Sequence, residues 1–83
     1  MTSYSPTQSA YIQIGAFKKE NVSQAVASDV SNKIGTDVEV IPTLISDPVM
    51  YRILVGPTHK DEIVRVIADI MELGISDYFL THG

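Results

Sequence analysis

Tyr11-Ile12-Gln13-Ile14-Gly15-Ala16-Phe17 and Arg52-Ile53-Leu54-Val55-Gly56-Pro57-Thr58 are one kind of segment met twice. Each is a run rich in β-branched residues that stops at a glycine. Sliding the sequence by 41 positions puts Tyr11 on Arg52, Ile12 on Ile53 and Gly15 on Gly56. The match continues without a gap, Lys19 on Lys60, Ala27 on Ala68 and Ile34 on Ile75. Between the identities apolar falls on apolar: Ile14 on Val55, Val22 on Ile63, Val26 on Ile67, Val30 on Met71. Patterning matched over about 24 positions indicates two copies of one supersecondary unit.

Each unit reads strand, helix, strand. Residues 11–16 form the first strand. From Glu20 the apolar period lengthens, and Val22, Ala25, Val26, Asp29, Val30 and Lys33 share one helical face. That helix ends before Gly35, which suits the left-handed position after a helix. Residues 37–41 alternate as a second strand, which Pro42 is expected to end. Residues 43–48 are a turn-rich connection, and residues 50–55 are the third strand. Thr58 and Asp61 have the spacing of a capping box. They open a second helix with the stripe Ile63, Val66, Ile67, Ile70 and Leu73, closed by Gly74. Residues 78–81 are the last strand. The order βαββαβ predicts an α+β, ferredoxin-like (RNP-like) domain: a four-stranded antiparallel sheet with both helices on one face. The other face is left bare.

The bulk numbers fit one small folded domain. The chain has 83 residues, 45% hydrophobic and 19% charged, a composition unlike that of a disordered segment. Its net charge is −4, and its six Lys and Arg are scattered rather than gathered in a stripe. This argues against nucleic acid and against an anionic membrane surface. The absence of cysteine excludes disulfides, thiolate metal sites and a cysteine nucleophile. No apolar run approaches the ~20 residues of a membrane span. Residues 1–9 are polar and lack the layout of a signal peptide. They read as linker remnant and the domain as 10–83, so an exported parent would carry its signal on further sequence.

Nothing in the sequence assembles an active site. His59 sits at a helix start and His82 in the tail, too far apart for a shared metal site. Asp61 and Glu62 are adjacent at a helix start, where carboxylates favour the dipole. Ser46-Asp47 lies in a turn with no partnering histidine. Gly15 and Gly56 head no phosphate-binding pattern. No cofactor and no catalysis are expected.

Strand side chains alternate between faces. Ile12, Ile14, Val38, Val40, Tyr51, Ile53, Val55 and Phe79 are predicted to face the helices. Tyr11, Gln13, Glu39, Ile41, Met50, Arg52, Leu54, Tyr78 and Leu80 are predicted to line the bare face. Gln13 and Arg52 fall near its centre, because strands one and three are the inner pair in this arrangement. Flat apolar groups among amide and guanidinium donors suit a sugar, whose C–H faces pack on rings while its hydroxyl and acetamido groups take hydrogen bonds. Sheets of this topology that bind RNA stack bases on aromatics at the centres of strands one and three. Here those places hold Gln13, Arg52 and Leu54.

The first segment resembles the opening motif of SPOR (sporulation-related repeat) domains, aromatic-Val-Gln-hydrophobic-Gly-Ser/Ala-Phe. Tyr51-Arg52-Ile53-Leu54-Val55-Gly56-Pro57 resembles their second hallmark, Tyr-Arg-Val-hydrophobic-Val-Gly-Pro. The likeness covers about residues 10–81, and the Tyr-Arg form is most similar to the C-terminal domains of rare lipoprotein A relatives. The resemblance implies non-catalytic binding of peptidoglycan, preferring denuded glycan strands (GlcNAc–MurNAc without stem peptides) at the division septum. It implies a periplasmic, envelope location, a monomer with no nucleic-acid partner, and no membrane insertion by this domain. It places glycan contacts at Gln13, Ala16, Met50, Arg52 and Tyr78, to which the reading of the bare face adds Tyr11 and Leu54. Ala16 stands where many members have serine and Met50 where several have tryptophan, which weakens two contacts. Thr58 replaces the usual aromatic after Gly-Pro, in exchange for a helix cap. The alternative is a protein-interaction module that dimerises through the same bare face, using Ile41, Met50, Leu54 and Leu80.

Overall fold

The computed structural model describes residues 9–81. They form β1 (Ser9–Phe17), α1 (Glu20–Ile34), β2 (Val38–Thr43), β3 (Met50–His59), a 3-10 turn (Lys60–Glu62), α2 (Ile63–Glu72) and β4 (Phe79–Thr81). The strands make one antiparallel sheet in the order β2-β3-β1-β4. Ile12 of β1 and Val55 of β3 share one buried cluster with Val30 of α1 and with Val66 and Ile70 of α2. Both helices thus cover the same side of the sheet, as the repeat predicts. Residues 1–8 of the expected linker, and His82, lie outside the described residues. Ser9, counted with the linker, begins β1 instead.

The buried side of α1 is rotated from its expected position. Ser23, Ala27 and Val30 are buried, with Val26 and Ile34 packed beside them. Val22, Ala25, Asp29 and Lys33 face solvent, where Lys33 pairs with Asp29 at 3.1 Å. The stripes of the helices match at an offset of 40, Val26 with Val66 and Val30 with Ile70, so the repeat slips by one residue between strand and helix. Small residues also let α1 approach closely. The fully buried Ser23 hydroxyl is satisfied by the carbonyls of Lys19 (3.1 Å) and Tyr51 (3.4 Å).

Two other expectations change. Pro42 does not end β2 but lies within it, paired with Tyr51. β2 is an edge strand, so the missing N–H costs no ladder bond if it faces outward. Thr58 is not a cap. His59 takes that part, its Nδ1 accepting the Asp61 amide at 3.2 Å. Thr58 opposes Ala10 inside the sheet and is 4% exposed, and its hydroxyl has no hydrogen-bond partner among the described residues. An orphaned buried hydroxyl costs ~1–3 kcal/mol. Thr58→Val keeps the shape and removes the hydroxyl, so it should raise stability by about 1 kcal/mol, seen as a higher urea midpoint at constant m.

The β1–β3 ladder carries two offsetting irregularities. From Ala10 to Ile12 the partner steps from Thr58 to Val55, giving β3 an extra residue. From Gln13 to Gly15 the partner steps from Leu54 to Ile53, giving β1 an extra residue. Such bulges reverse the alternation of side chains beyond them. The second one brings Ala16 opposite Arg52, on the same face as Gln13, where strict alternation would have turned it away.

Candidate functional site

The face away from the helices can be read in rows from the strand registers. One row runs Glu39, Leu54, Gln13, Phe79 across β2, β3, β1 and β4. The next runs Ile41, Arg52, Ala16. Met50, opposite Thr43, flanks Arg52 on one side, and Tyr11, opposite Thr81, flanks Gln13 on the other. The Thr43 hydroxyl holds the start of β3, donating to the Met50 carbonyl at 2.9 Å and accepting its amide at 3.1 Å.

At the centre, the Arg52 Nε–H donates to Gln13 Oε1 at 2.9 Å. The bond joins side chains 39 residues apart in sequence across the inner strand pair. It fixes the guanidinium plane and leaves the outer guanidinium N–H groups and the Gln13 amide N–H groups as donors. Among the described residues no carboxylate is paired with Arg52, and the ion pairs there are, such as Arg65 with Glu62 and Asp69, lie on α1, on α2 and around the 3-10 turn. A rigid, unneutralised guanidinium on a half-buried floor is suited to planar recognition of a carboxylate.

Tyr11 reaches from β1 across β3 to β2, its phenol donating to Glu39 Oε2 at 3.4 Å. Lost solvation and the Glu39 carboxylate raise the phenol above its ordinary range, so it remains a neutral donor. Leu54 lies between Glu39 and Gln13 in the row, and it is 1% exposed. It is therefore the floor of the face and cannot offer contact surface, contrary to its expected place among the exposed groups.

The fourth strand is out of phase with expectation. Phe79 pairs with Gln13 and Leu80 with Ile12. Phe79 thus stands on the open face, 56% exposed, and Tyr78 packs against the helix-side core. Tyr78, expected on the bare face, thus lies on the helix side, and Phe79, expected in the core, lies on the open face. Tyr78 immediately precedes the three-residue β4, which Phe79 opens, and so short a strand gives alternation nothing to choose by. Tyr11, Gln13, Met50 and Arg52 are brought together on the open face, as alternation predicts, and the second bulge adds Ala16.

Beyond the Gln13–Phe79 pair, β4 no longer lies against β1. A groove of about 470 Å³ opens there between residues 13–17 and residues 77–79, continuous with the open face through Gln13 and Ala16. Among the described residues no group of three metal-ligating side chains converges.

The family model for the SPOR domain matches residues 6–81. In fold, the chain is similar to the SPOR domain of RlpA from Pseudomonas aeruginosa, at a TM-score of 0.75 and 20% identity, covering 87% of this chain and 96% of that one. It is also similar to the peptidoglycan-binding domain of the Bacillus subtilis cell wall lytic enzyme CwlC, at a TM-score of 0.63 and 26% identity, covering 96% and 95%. No curated protein sequence matches it significantly. The matched span takes in both motifs, both helices and all four strands, and the chain belongs to the SPOR domain family.

Proposed function

We propose that this domain binds the glycan strands of bacterial peptidoglycan on its open sheet face, preferring strands stripped of their stem peptides. As a SPOR domain it is a binding module and not an enzyme. Its function is to hold a larger envelope protein at septal wall, where amidases leave such strands. The observation that carries the reading is the Arg52–Gln13 pair, an ordered guanidinium with no carboxylate partner beside an amide, on the uncovered side of the sheet. Removal of a stem peptide by an amidase converts the lactyl amide of N-acetylmuramic acid into a free carboxylate. A guanidinium discriminates between those two groups, because it meets the two oxygens of a planar carboxylate with opposite charge and bidentate geometry, whereas the neutral amide offers it a single carbonyl oxygen. Gln13 offers the matching amide for acetamido groups, and Phe79 offers a plane for a pyranose face.

The test is co-sedimentation of the isolated domain with purified sacculi. More protein should pellet with amidase-treated sacculi than with untreated ones. Equal pelleting with both would refute the preference for bare strands, and no pelleting with either would refute wall binding. The net charge of −4 adds a salt signature: long-range repulsion from a carboxylated strand is screened, so moderate salt should weaken pelleting little.

A further inference from the structure

Leu44 and Ile45 form the tip of the connection between β2 and β3, Leu44 77% exposed and Ile45 fully so. The tip is held stiffly. The Ser46 amide donates to the Thr43 carbonyl at 3.2 Å, and the Thr43 and Ser46 hydroxyls meet at 2.8 Å. Two aliphatic side chains standing in water on an ordered turn make a knob that loses little conformational freedom on contact. The groove of about 470 Å³ beside β1 is a hollow to match, with Ile14, Phe17 and Phe79 among its walls. Both phenylalanine rings are partly exposed there. A cavity of ~150 Å³ takes a benzene ring, so this groove has room for both side chains of a tip.

Thr43 pairs with Met50 and Phe17 with Tyr51, so tip and groove lie at the same end of the sheet. In the order β2-β3-β1-β4 the tip belongs to the β2–β3 half and the groove to the β1–β4 half. A twofold axis normal to the sheet, passing between β3 and β1 at that end, therefore lays the tip of each copy on the groove of the other. Charge follows the same pairing. Asp47, beside the tip, is exposed and forms no ion pair among the described residues. Lys18 and Lys19 directly follow Phe17 at the groove, and their side chains are likewise exposed and unpaired. They sit at the positive end of α1, where cations are unfavourable. With Asp77 on the rim they leave one net positive charge at the groove, which Asp47 of a second copy neutralises.

We propose that the chain forms a twofold dimer in which Leu44 and Ile45 of each copy fill the groove of the other. An axis normal to the sheet keeps both open faces on the same side, so the dimer presents two Gln13–Arg52 pairs in one direction. Dimerisation through the open face itself would bury those pairs instead. Four aliphatic side chains and a few exposed charges act against the cost of association, which makes the dimer weak, with a Kd of roughly 100 μM.

Sedimentation equilibrium of the 83-residue chain, from well below to well above that concentration, tests this. The wild type should pass from monomer to dimer and no further, because a twofold contact closes on itself. Ile45→Asp should weaken the dimer by about ten-fold or more, since each substitution enters the contact twice. Asp47→Lys and Lys18→Glu should each weaken it several-fold, and the two combined in one chain should restore it, because the charges at each contact again cancel. That rescue has no counterpart if the substitutions merely perturb the turn. Thermal melts should be unchanged, as all three positions are exposed. A wild-type chain that stays monomeric throughout would overturn the proposal, and so would Ile45-dependent binding of that monomer to neutral phosphatidylcholine vesicles, which would give the tip to a lipid surface. A dimer that survives Ile45→Asp but is lost in Ile41→Asp would place the contact on the open face and overturn it equally.

Discussion

Replacing Arg52 by alanine should lower the affinity for amidase-treated sacculi by roughly ten- to a hundred-fold, while the thermal midpoint moves little. The magnitude is that of a charge-assisted hydrogen bond, ~1.5–3 kcal/mol. The side chain is only half-buried and has no ion-pair partner among the described residues, so its loss strands no buried charge in the protein. It does release Gln13 Oε1, whose amide then loses its fixed orientation. Arg52→Lys is the informative companion. It keeps the charge but cannot reproduce the planar fork that bonds Gln13 through Nε and a ligand through its outer nitrogens. Its affinity should fall between those of the wild type and the alanine variant. Wild-type affinity in Arg52→Ala would remove Arg52 from the site.

The largest expected loss of stability comes from Gly56→Ala, at roughly 3 kcal/mol or more. Gly56 is buried at a φ of +133°, a region costly for any L side chain. A Cβ there would stand 2.9 Å from the Thr58 amide nitrogen and 3.0 Å from the Ala10 carbonyl oxygen. Both are backbone atoms of the paired inner strands, so neither can swing aside as a flexible side chain would. A domain of this size has little stability to spare, and urea unfolding should show the midpoint collapse. Gly74→Ala is the matched comparison. Its φ is +90°, but a Cβ there meets nothing within 4 Å, so the strain acts alone and the loss should be about 1–2 kcal/mol.

Much of the fold was legible because a repeat of strand, helix and strand restricts the topology to very few arrangements. Gln13 and Arg52 could be placed because each sits in a long inner strand with apolar neighbours on both sides, which fixes its phase. Legibility failed where that phase was interrupted. At β4 the strand is three residues long, so Tyr78 and Phe79 could be exchanged without disturbing the pattern. At Leu54 alternation gave the correct face but not the burial, which is set by side chains on β1 and β2 that only the strand registers bring beside it. In α1 the buried stripe runs through Ser23 and Ala27, residues too small to announce it, while Val22 lies outside it. The bulge that turns Ala16 towards Arg52 leaves no mark in composition beyond Gly15. Thr58 showed the spacing of a capping box, but the chain enters the helix through a 3-10 turn that hands the cap to His59.

The most direct test of the open face as the glycan-binding surface is a 15N-resolved titration of the folded domain with a peptide-free GlcNAc–MurNAc oligomer. Shifts should gather at Gln13, Ala16, Arg52 and Phe79, including the Gln13 side-chain amide, and leave the outer surfaces of α1 and α2 still. Shifts gathered on those helices, with the Gln13 amide unmoved, would contradict it.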